Sequence, residues 1–266
     1  MPIQRNRGSN GIIGRGNFIQ FMKPILILKT GELPRRVTEN LGPYERAFLK
    51  VVGDERCVVV DARKEELSDK EWAGIIITGS PASTYDGDAW IVRSENFLKR
   101  AADRSVPLYG VCFGHQLLAQ TFGGKVEKCP RGWELGTVAV TQTRHGKANP
   151  LFSSVPETFV AQMSHGDVVT ELPLGAVALI QNDHWPYQAF ALGERIWATQ
   201  FHPEFTPQIV SDLIHALTSV LSPEVFCLRP ANQPVREWLL ATVRDAPVAR
   251  RCLENFVTIV KNGVGD

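Results

Sequence analysis

The chain has 266 residues, 44% of them hydrophobic and 21% charged, the make-up of an ordinary globular protein with enough apolar material for a substantial core. Its 29 Lys and Arg balance 28 Asp and Glu to a formal charge of +1 without a long run of either sign, which speaks against nucleic acid, because phosphate binding needs a concentrated basic surface. No apolar stretch approaches the ~20 residues that span a bilayer, and the five scattered cysteines include no C-x-x-C pair, so no membrane, metal site or disulfide framework is expected and the reading is cytoplasmic.

Residues 1–22 are rich in Gly, Asn and Arg and lack the apolar segment of a secretory signal. They are expected to be a mobile leader, with Met22, just ahead of an apolar run, a candidate native start. Short apolar runs at 25–28, 57–60, 74–78 and 106–111 suit strands buried on both faces. Residues 44–52, 91–103 and 113–122 read as helices between or after them, and this alternation predicts an α/β fold with a parallel sheet covered by helices. Short strand-like segments at 137–141, 158–160, 177–180, 188–190 and 196–201, separated by Gly, Pro, Asn and Asp, predict hairpins added to that sheet. Helical spacing follows at 207–221 and again at 235–260, interrupted at Pro247. The expected division is a leader at 1–22, a domain at 23–221 and a helical C-terminal extension at 222–266.

Gly110-x-Cys112-x-Gly114 falls where a predicted strand ends and a helix begins, the arrangement of a nucleophile elbow with Cys in place of Ser. The turn is so tight that a Cβ on either flank would clash, and the nucleophile itself takes a strained backbone conformation. The helix N-terminus favours an anion, as a thiolate nucleophile needs. Most cysteines are simply buried small residues, and the other four keep that reading. Ninety residues on, Gln200-Phe-His202-Pro-Glu204 ends another apolar run. In extended backbone, His202 and Glu204 point to the same side, so the carboxylate can fix the imidazole tautomer and stabilise the imidazolium. Cys112, His202 and Glu204 are therefore the candidate catalytic triad.

The two motifs together resemble the class I glutamine amidotransferase family, closest to its free-standing members, over about residues 24–205. The resemblance implies a flavodoxin-like, mostly parallel sheet with helices on both faces, added β-hairpins and a C-terminal helical tail. It also implies attack by the cysteine on a γ-glutamyl carbonyl and hydrolysis of the resulting thioester. By the same similarity, backbone N–H groups in the Gly79-Ser80-Pro81 turn and at Phe113 form the oxyanion hole; Pro81 has no N–H to give. Gln116, Ser164, His165, Gly166 and Asp167 resemble the substrate-binding groups, with His165 favoured as a pocket or structural residue rather than a rival base. Arg131-Gly-Trp-Glu-Leu-Gly136 matches another family segment and receives no chemistry. His115 reads as packed or partly solvated, and His184 as structural.

These motifs address the acyl half of the substrate and leave the amine open. Ammonia would make the protein a glutaminase subunit needing a synthase partner, since the chain has no P-loop. A larger amine would make it a self-sufficient γ-glutamyl amide or peptide hydrolase. Trp185 and Tyr187 could line an apolar amine pocket, although aromatic loop residues more commonly pack against their own domain. A non-catalytic binding module on the same fold and a cysteine peptidase are the readings from other classes. No metal or organic cofactor is implied, and a homo-oligomer is the other partnership considered.

Overall fold

The computed structural model describes residues 23–53, 56–226 and 232–263. The expected leader at 1–22, with Met22, and also Cys227 lie outside the described residues. The elements in chain order are β1 (Ile25–Lys29), α1 (Arg35–Leu41), α2 (Glu45–Val52), β2 (Cys57–Asp61), β3 (Gly74–Ile77), α3 (Ala89–Asp103), β4 (Leu108–Val111), α4 (Phe113–Thr121) and β5 (Lys125–Lys128). They continue with β6 (Glu134–Gln142), α5 (Arg144–Ala148), β7 (Thr158–His165), β8 (Asp167–Glu171), β9 (Ala176–Gln181), β10 (Ala189–Leu192), β11 (Ile196–Thr199), α6 (Pro207–Leu217), α7 (Val235–Leu240) and α8 (Pro247–Asn262).

The nine-stranded sheet has the order β2-β1-β3-β4-β11-β10-β9-β6-β7. Strands β2, β1, β3, β4 and β11 run parallel, in the flavodoxin-like order, and β10, β9, β6 and β7 extend them as an antiparallel wing. This is the mixed α/β sheet with helices on both faces that the sequence predicts. Strand β1 shows why its apolar run is continuous: Ile25 and Ile27 enter the core on one face, while Leu26 and Leu28 enter the core on the other. The first core takes Phe48 from α2, Leu213 from α6 and Phe256 from α8; the second takes Phe97 from α3 and Leu117 from α4.

Strand β2 departs from expectation, because it is the edge of the sheet: its residues are half-buried and Val58 is exposed. The separate β5–β8 ladder and helix α1 also go beyond the predicted elements. Only Val126 of β5 is buried, too little apolar signal to mark a strand. Pro247 interrupts the C-terminal helical pattern as predicted, by occupying the first turn of α8. Among the described residues, no helix is long and apolar enough to cross a membrane.

Helix α8 belongs to the cover of the central sheet. Phe256 stacks on Tyr109 of β4, with ring centroids 5.3 Å apart, and meets Trp197 of β11 edge-on at 6.2 Å. Because β4 carries Cys112 at its end, this packing supports the site from below. Phe256→Ala should therefore cost about 3–5 kcal/mol of folding stability. Urea unfolding followed by far-UV circular dichroism tests this, and a cost below 1 kcal/mol would show that the C-terminal helix is peripheral.

Candidate active site

The ends of four parallel strands build one site. Residues 30–34 follow β1, residues 78–81 follow β3, Cys112 follows β4, and residues 200–205 follow β11. Ligands bind at this edge in open α/β sheets, where the strand order reverses, here between β1 and β3.

Cys112 has φ +53° and ψ −104°, a left-handed conformation rare for a side-chain-bearing residue. A Cβ on Gly110 would lie 2.3 Å from the Gly114 carbonyl oxygen, and one on Gly114 would lie 2.5 Å from the Ile77 carbonyl oxygen. The elbow thus lets strand, turn and helix approach backbone to backbone. The Cys112 N–H donates to the Thr199 carbonyl at 2.8 Å, and its own carbonyl accepts from Gln116 N at 3.1 Å, fixing the turn between β11 and α4. The thiol lies 3.6 Å from the Ser164 carbonyl oxygen.

His202 Nδ1 donates to Glu204 Oε1 at 2.7 Å, and the same oxygen accepts from the Tyr44 hydroxyl at 2.8 Å. Phe205 stacks on the imidazole with centroids 3.9 Å apart and planes within 3°. His202, Glu204 and Tyr44 are all buried. Burial opposes protonation of His202, but the charges of Glu204 and of the Cys112 sulfur, with hydrogen bonding to both, outweigh it and raise the pKa to about 10. Nε2 has no hydrogen-bond partner of good geometry, so its contact with the sulfur is a loose one of the kind that substrate-free sites commonly hold. Burial and the neighbouring Glu204 charge raise the Tyr44 pKa well above its usual value and keep its proton in place.

Gly79 sits where these groups converge. A Cβ there would lie 2.9 Å from the Tyr44 hydroxyl, 3.2 Å from His202 Cε1 and 3.6 Å from Cys112 Cβ. Its N–H donates to the Tyr44 hydroxyl at 3.3 Å, which leaves Ser80 and Phe113 as the predicted oxyanion donors without that commitment.

Two clefts meet at Cys112, sharing Ser80, Pro81, Trp133 and Ser164. The larger, about 540 Å³, is lined by Gln116, Lys128, His165, Gly166 and Asp167 among others. Gln116 Nε2 donates to the Asp167 carbonyl at 2.9 Å and to Gln200 Oε1 at 3.1 Å, so both amide protons are used. The Asp167 carboxylate accepts from Ser83 Oγ at 2.5 Å and from the Tyr85 hydroxyl at 3.0 Å. His165 faces the Asp167 carbonyl with Nδ1 and Glu134 with Nε2, at 3.2 and 2.9 Å, so neither nitrogen is open for use as a base. Burial alone would raise the Glu134 pKa, but the hydrogen bond and charge of His165 lead the effects that lower it.

The five expected binding residues therefore share one cleft with Cys112. His115 is fully buried beside Phe190, and burial lowers its pKa to about 3. Trp185 and Tyr187 line neither cleft: the Trp185 indole donates to the Val169 carbonyl at 2.7 Å, and Tyr187 packs on the second core. His184 is buried against Cys129, 3.4 Å from its sulfur.

Sequence reasoning missed Tyr44 and Phe205, which grip Glu204 and His202, and Ser83 and Tyr85, which hold Asp167. Tyr44 is 160 residues from Glu204 and carries no local signal. Phe205 directly follows the His-Pro-Glu motif, where an aromatic neighbour of the base was legible in principle. Glu134, left without chemistry, is the anchor of His165, Asn182 and Gln188.

The Glutamine amidotransferase class-I family model matches residues 45–214. A GMP synthase (glutamine-hydrolysing) from Nitratiruptor sp. is 39% identical over 142 residues, 53% of this chain and 26% of that protein. Gamma-glutamyl peptidase 4 from Arabidopsis thaliana is 30% identical over 184 residues, 66% of this chain and 73% of the relative. The chain thus spans about a quarter of the length of the synthase and most of the peptidase. A crystal structure of a glutamine amidotransferase from Thermotoga maritima superposes with a TM-score of 0.67 at 19% identity, covering 88% of this chain and 96% of that one, and shares the fold.

Because His202 is held protonated, it contributes stability that is fully present below pH 6.5 and is lost as pH rises through about 10. Urea midpoints for the wild type should fall across that window, with His202→Gln showing a shallower decline. Parallel pH profiles for the two proteins would refute the coupling.

Proposed function

The chain belongs to the class I glutamine amidotransferase family, and we propose that it hydrolyses a γ-glutamyl amide or peptide through a thioester on Cys112, with His202 and Glu204 completing the triad. The observation that carries this reading is the convergence of a strained cysteine at a helix N-terminus with a buried, carboxylate-anchored histidine.

In the proposed reaction, the Cys112 thiolate attacks the γ-carbonyl carbon while N–H groups of Ser80 and Phe113 receive the developing oxyanion. His202 passes a proton to the leaving nitrogen as the C–N bond breaks, and the freed amine departs. His202 then takes a proton from water, whose oxygen attacks the thioester; the C–S bond breaks, releasing a γ-carboxylate and returning the thiolate. Glu204 fixes the imidazole tautomer through Nδ1, and Tyr44 and Phe205 hold the two in place. The larger cleft takes the glutamyl end. The Gln116 amide oxygen and the Asp167 carboxylate suit an α-ammonium, while backbone groups near Ser164 and Gly166 orient the chain.

The similarity to a γ-glutamyl peptidase over most of both chains favours a free-standing hydrolase. The similarity to GMP synthases favours the second reading, a glutaminase delivering ammonia to a separate synthase. Amine release from γ-glutamyl amides, γ-glutamyl peptides and L-glutamine separates the two. Turnover of substituted amides without a partner is expected, with Cys112→Ala lowering it by on the order of 10⁴-fold or more. Tyr44→Phe should lower kcat by about 10-fold, the scale of one hydrogen bond to a buried carboxylate. Full activity of Cys112→Ala would refute the thioester route.

A further inference from the structure

The larger cleft accounts for the acyl half of the substrate, and a second, smaller cleft opens from the other side of Cys112. Its volume is about 100 Å³, and unlike the larger one it is lined by His202. A general acid must lie within hydrogen-bond reach of the atom it protonates, so the nitrogen that receives the His202 proton departs on the His202 side. The walls there are Leu33 and Pro34 after β1, Phe205 after β11, and Leu213 and Leu217 on α6. Glu32 is the carboxylate at this cleft, and its charge is engaged by Lys29 at 2.5 Å and Arg63 at 3.4 Å. Neither Lys nor Arg is among the described residues that line it.

From these features, and resting on the hydrolysis set out above, we propose that the smaller cleft binds the leaving amine and selects a primary amine with a compact, uncharged apolar substituent over ammonia and over amino acids. Ammonia would leave the apolar walls uncovered. An amino acid would bring a carboxylate out of water into a cleft whose lining offers it no Lys or Arg, because the two cations nearby, Lys29 and Arg63, are already taken up by Glu32. The size sets a limit: at about 100 Å³ the cleft is smaller than the apolar cavity of about 150 Å³ that accepts benzene, so it suits only a short branched alkyl group with its far end at the mouth. The chemistry stays that of amide hydrolysis. One C–N bond and one water are consumed, the free amine and a γ-carboxylate are the products, and no other co-reactant is required.

The test compares kcat/KM of the full chain for γ-glutamyl-isoamylamide, γ-glutamylleucine and L-glutamine. The first two differ by a single carboxylate, and the third lacks the apolar group. The isoamylamide is expected to exceed each of the others by about 10-fold or more, within the range that apolar-pocket discrimination supplies. Glu32→Gln, which removes the side-chain carboxylate and its hold on Lys29 and Arg63, should raise turnover of γ-glutamylleucine several-fold with the isoamylamide little changed. Leu217→Arg, at a half-buried position, should lower the ratio of kcat/KM for the isoamylamide to that for glutamine by about 10-fold. Equal or better use of glutamine or γ-glutamylleucine, or a uniform loss on all three substrates in Leu217→Arg, would overturn the assignment while leaving γ-glutamyl hydrolysis intact. No turnover of any substrate, with no adduct on Cys112 from an electrophilic glutamine analogue, would instead remove the hydrolytic reading itself and this inference with it.

Discussion

Cys112 can hold φ +53° only because three chain segments press together with nothing between them. Such a conformation costs on the order of 1–3 kcal/mol and persists where its surroundings over-determine it. Here Gly110 meets the backbone of Gly114, Gly114 meets that of Ile77, and the Cys112 amide is bonded to Thr199. The strain is thus met by the central parallel strands β3, β4 and β11, whose side chains are buried on both faces. The same contacts aim the sulfur out of the sheet at the N-terminus of α4. Any change that loosens the strand packing therefore reaches the sulfur directly, which is why the aromatic stack of α8 on Tyr109 and Trp197 matters to a site that Phe256 does not line.

The histidine side of the site follows a different logic. The geometry of His202 comes from side chains rather than from a strained turn, and all three of those side chains are distant in sequence from the Cys112 elbow. Glu204 Oε1 receives both His202 and Tyr44, and Phe205 lies flat on the ring. Together they leave the imidazole a single orientation, with Nε2 as the nitrogen not taken by Glu204. Tyr44 also receives the Gly79 N–H, so the turn after β3 is tied to the carboxylate that orients His202. That link explains the glycine at position 79 in steric terms, since any side chain there would separate Tyr44, His202 and Cys112.

The sequence was most legible where one residue type is demanded by backbone geometry or by alternation. The parallel strands announced themselves as continuous apolar runs, and the elbow by its paired glycines at a strand-to-helix junction. His202 and Glu204 were found by expecting extended chain, whereas β11 ends at Thr199 and residues 202–205 close as a turn, Phe205 N–H donating to the His202 carbonyl at 3.4 Å, and it is this turn that brings the carboxylate to the imidazole. Local signals were weaker where structure depends on distant partners. Strand β5 pairs with β8 although Val126 is its one buried residue, and edge strand β2 reads like an interior strand because its apolar run does not record whether a neighbour exists. Tyr44 was illegible for the same reason, since its role exists only when the start of α2 meets Glu204 and Phe205 beyond the end of β11. Trp185 and Tyr187 misled in the opposite direction. Their aromatic character suits either a ligand or a core, and the Trp185 bond to the Val169 carbonyl shows it held by the domain.

The position of Cys112 between two clefts also gives the proposed hydrolysis a physical division of labour. On one side lie groups with formal charge or fixed dipoles, including Asp167 held by Ser83 and Tyr85 and a Gln116 whose amide protons are already committed. Such groups require little reorganisation when a charged amino acid end arrives, because their partners have already fixed them. On the other side Leu33, Phe205, Leu213 and Leu217 form the apolar part of the wall, which offers no directional bonds, only apolar surface and shape. Trp133 borders both, its indole pressed so closely on residue 166 that a Cβ on Gly166 would lie 2.6 Å from Nε1. Gly166 thus lets one aromatic side chain serve as a shared wall. Under the proposed hydrolysis, the mismatch between the clefts would orient the scissile bond across Cys112, since a glutamyl head placed among the leucines would lose its water without gaining partners.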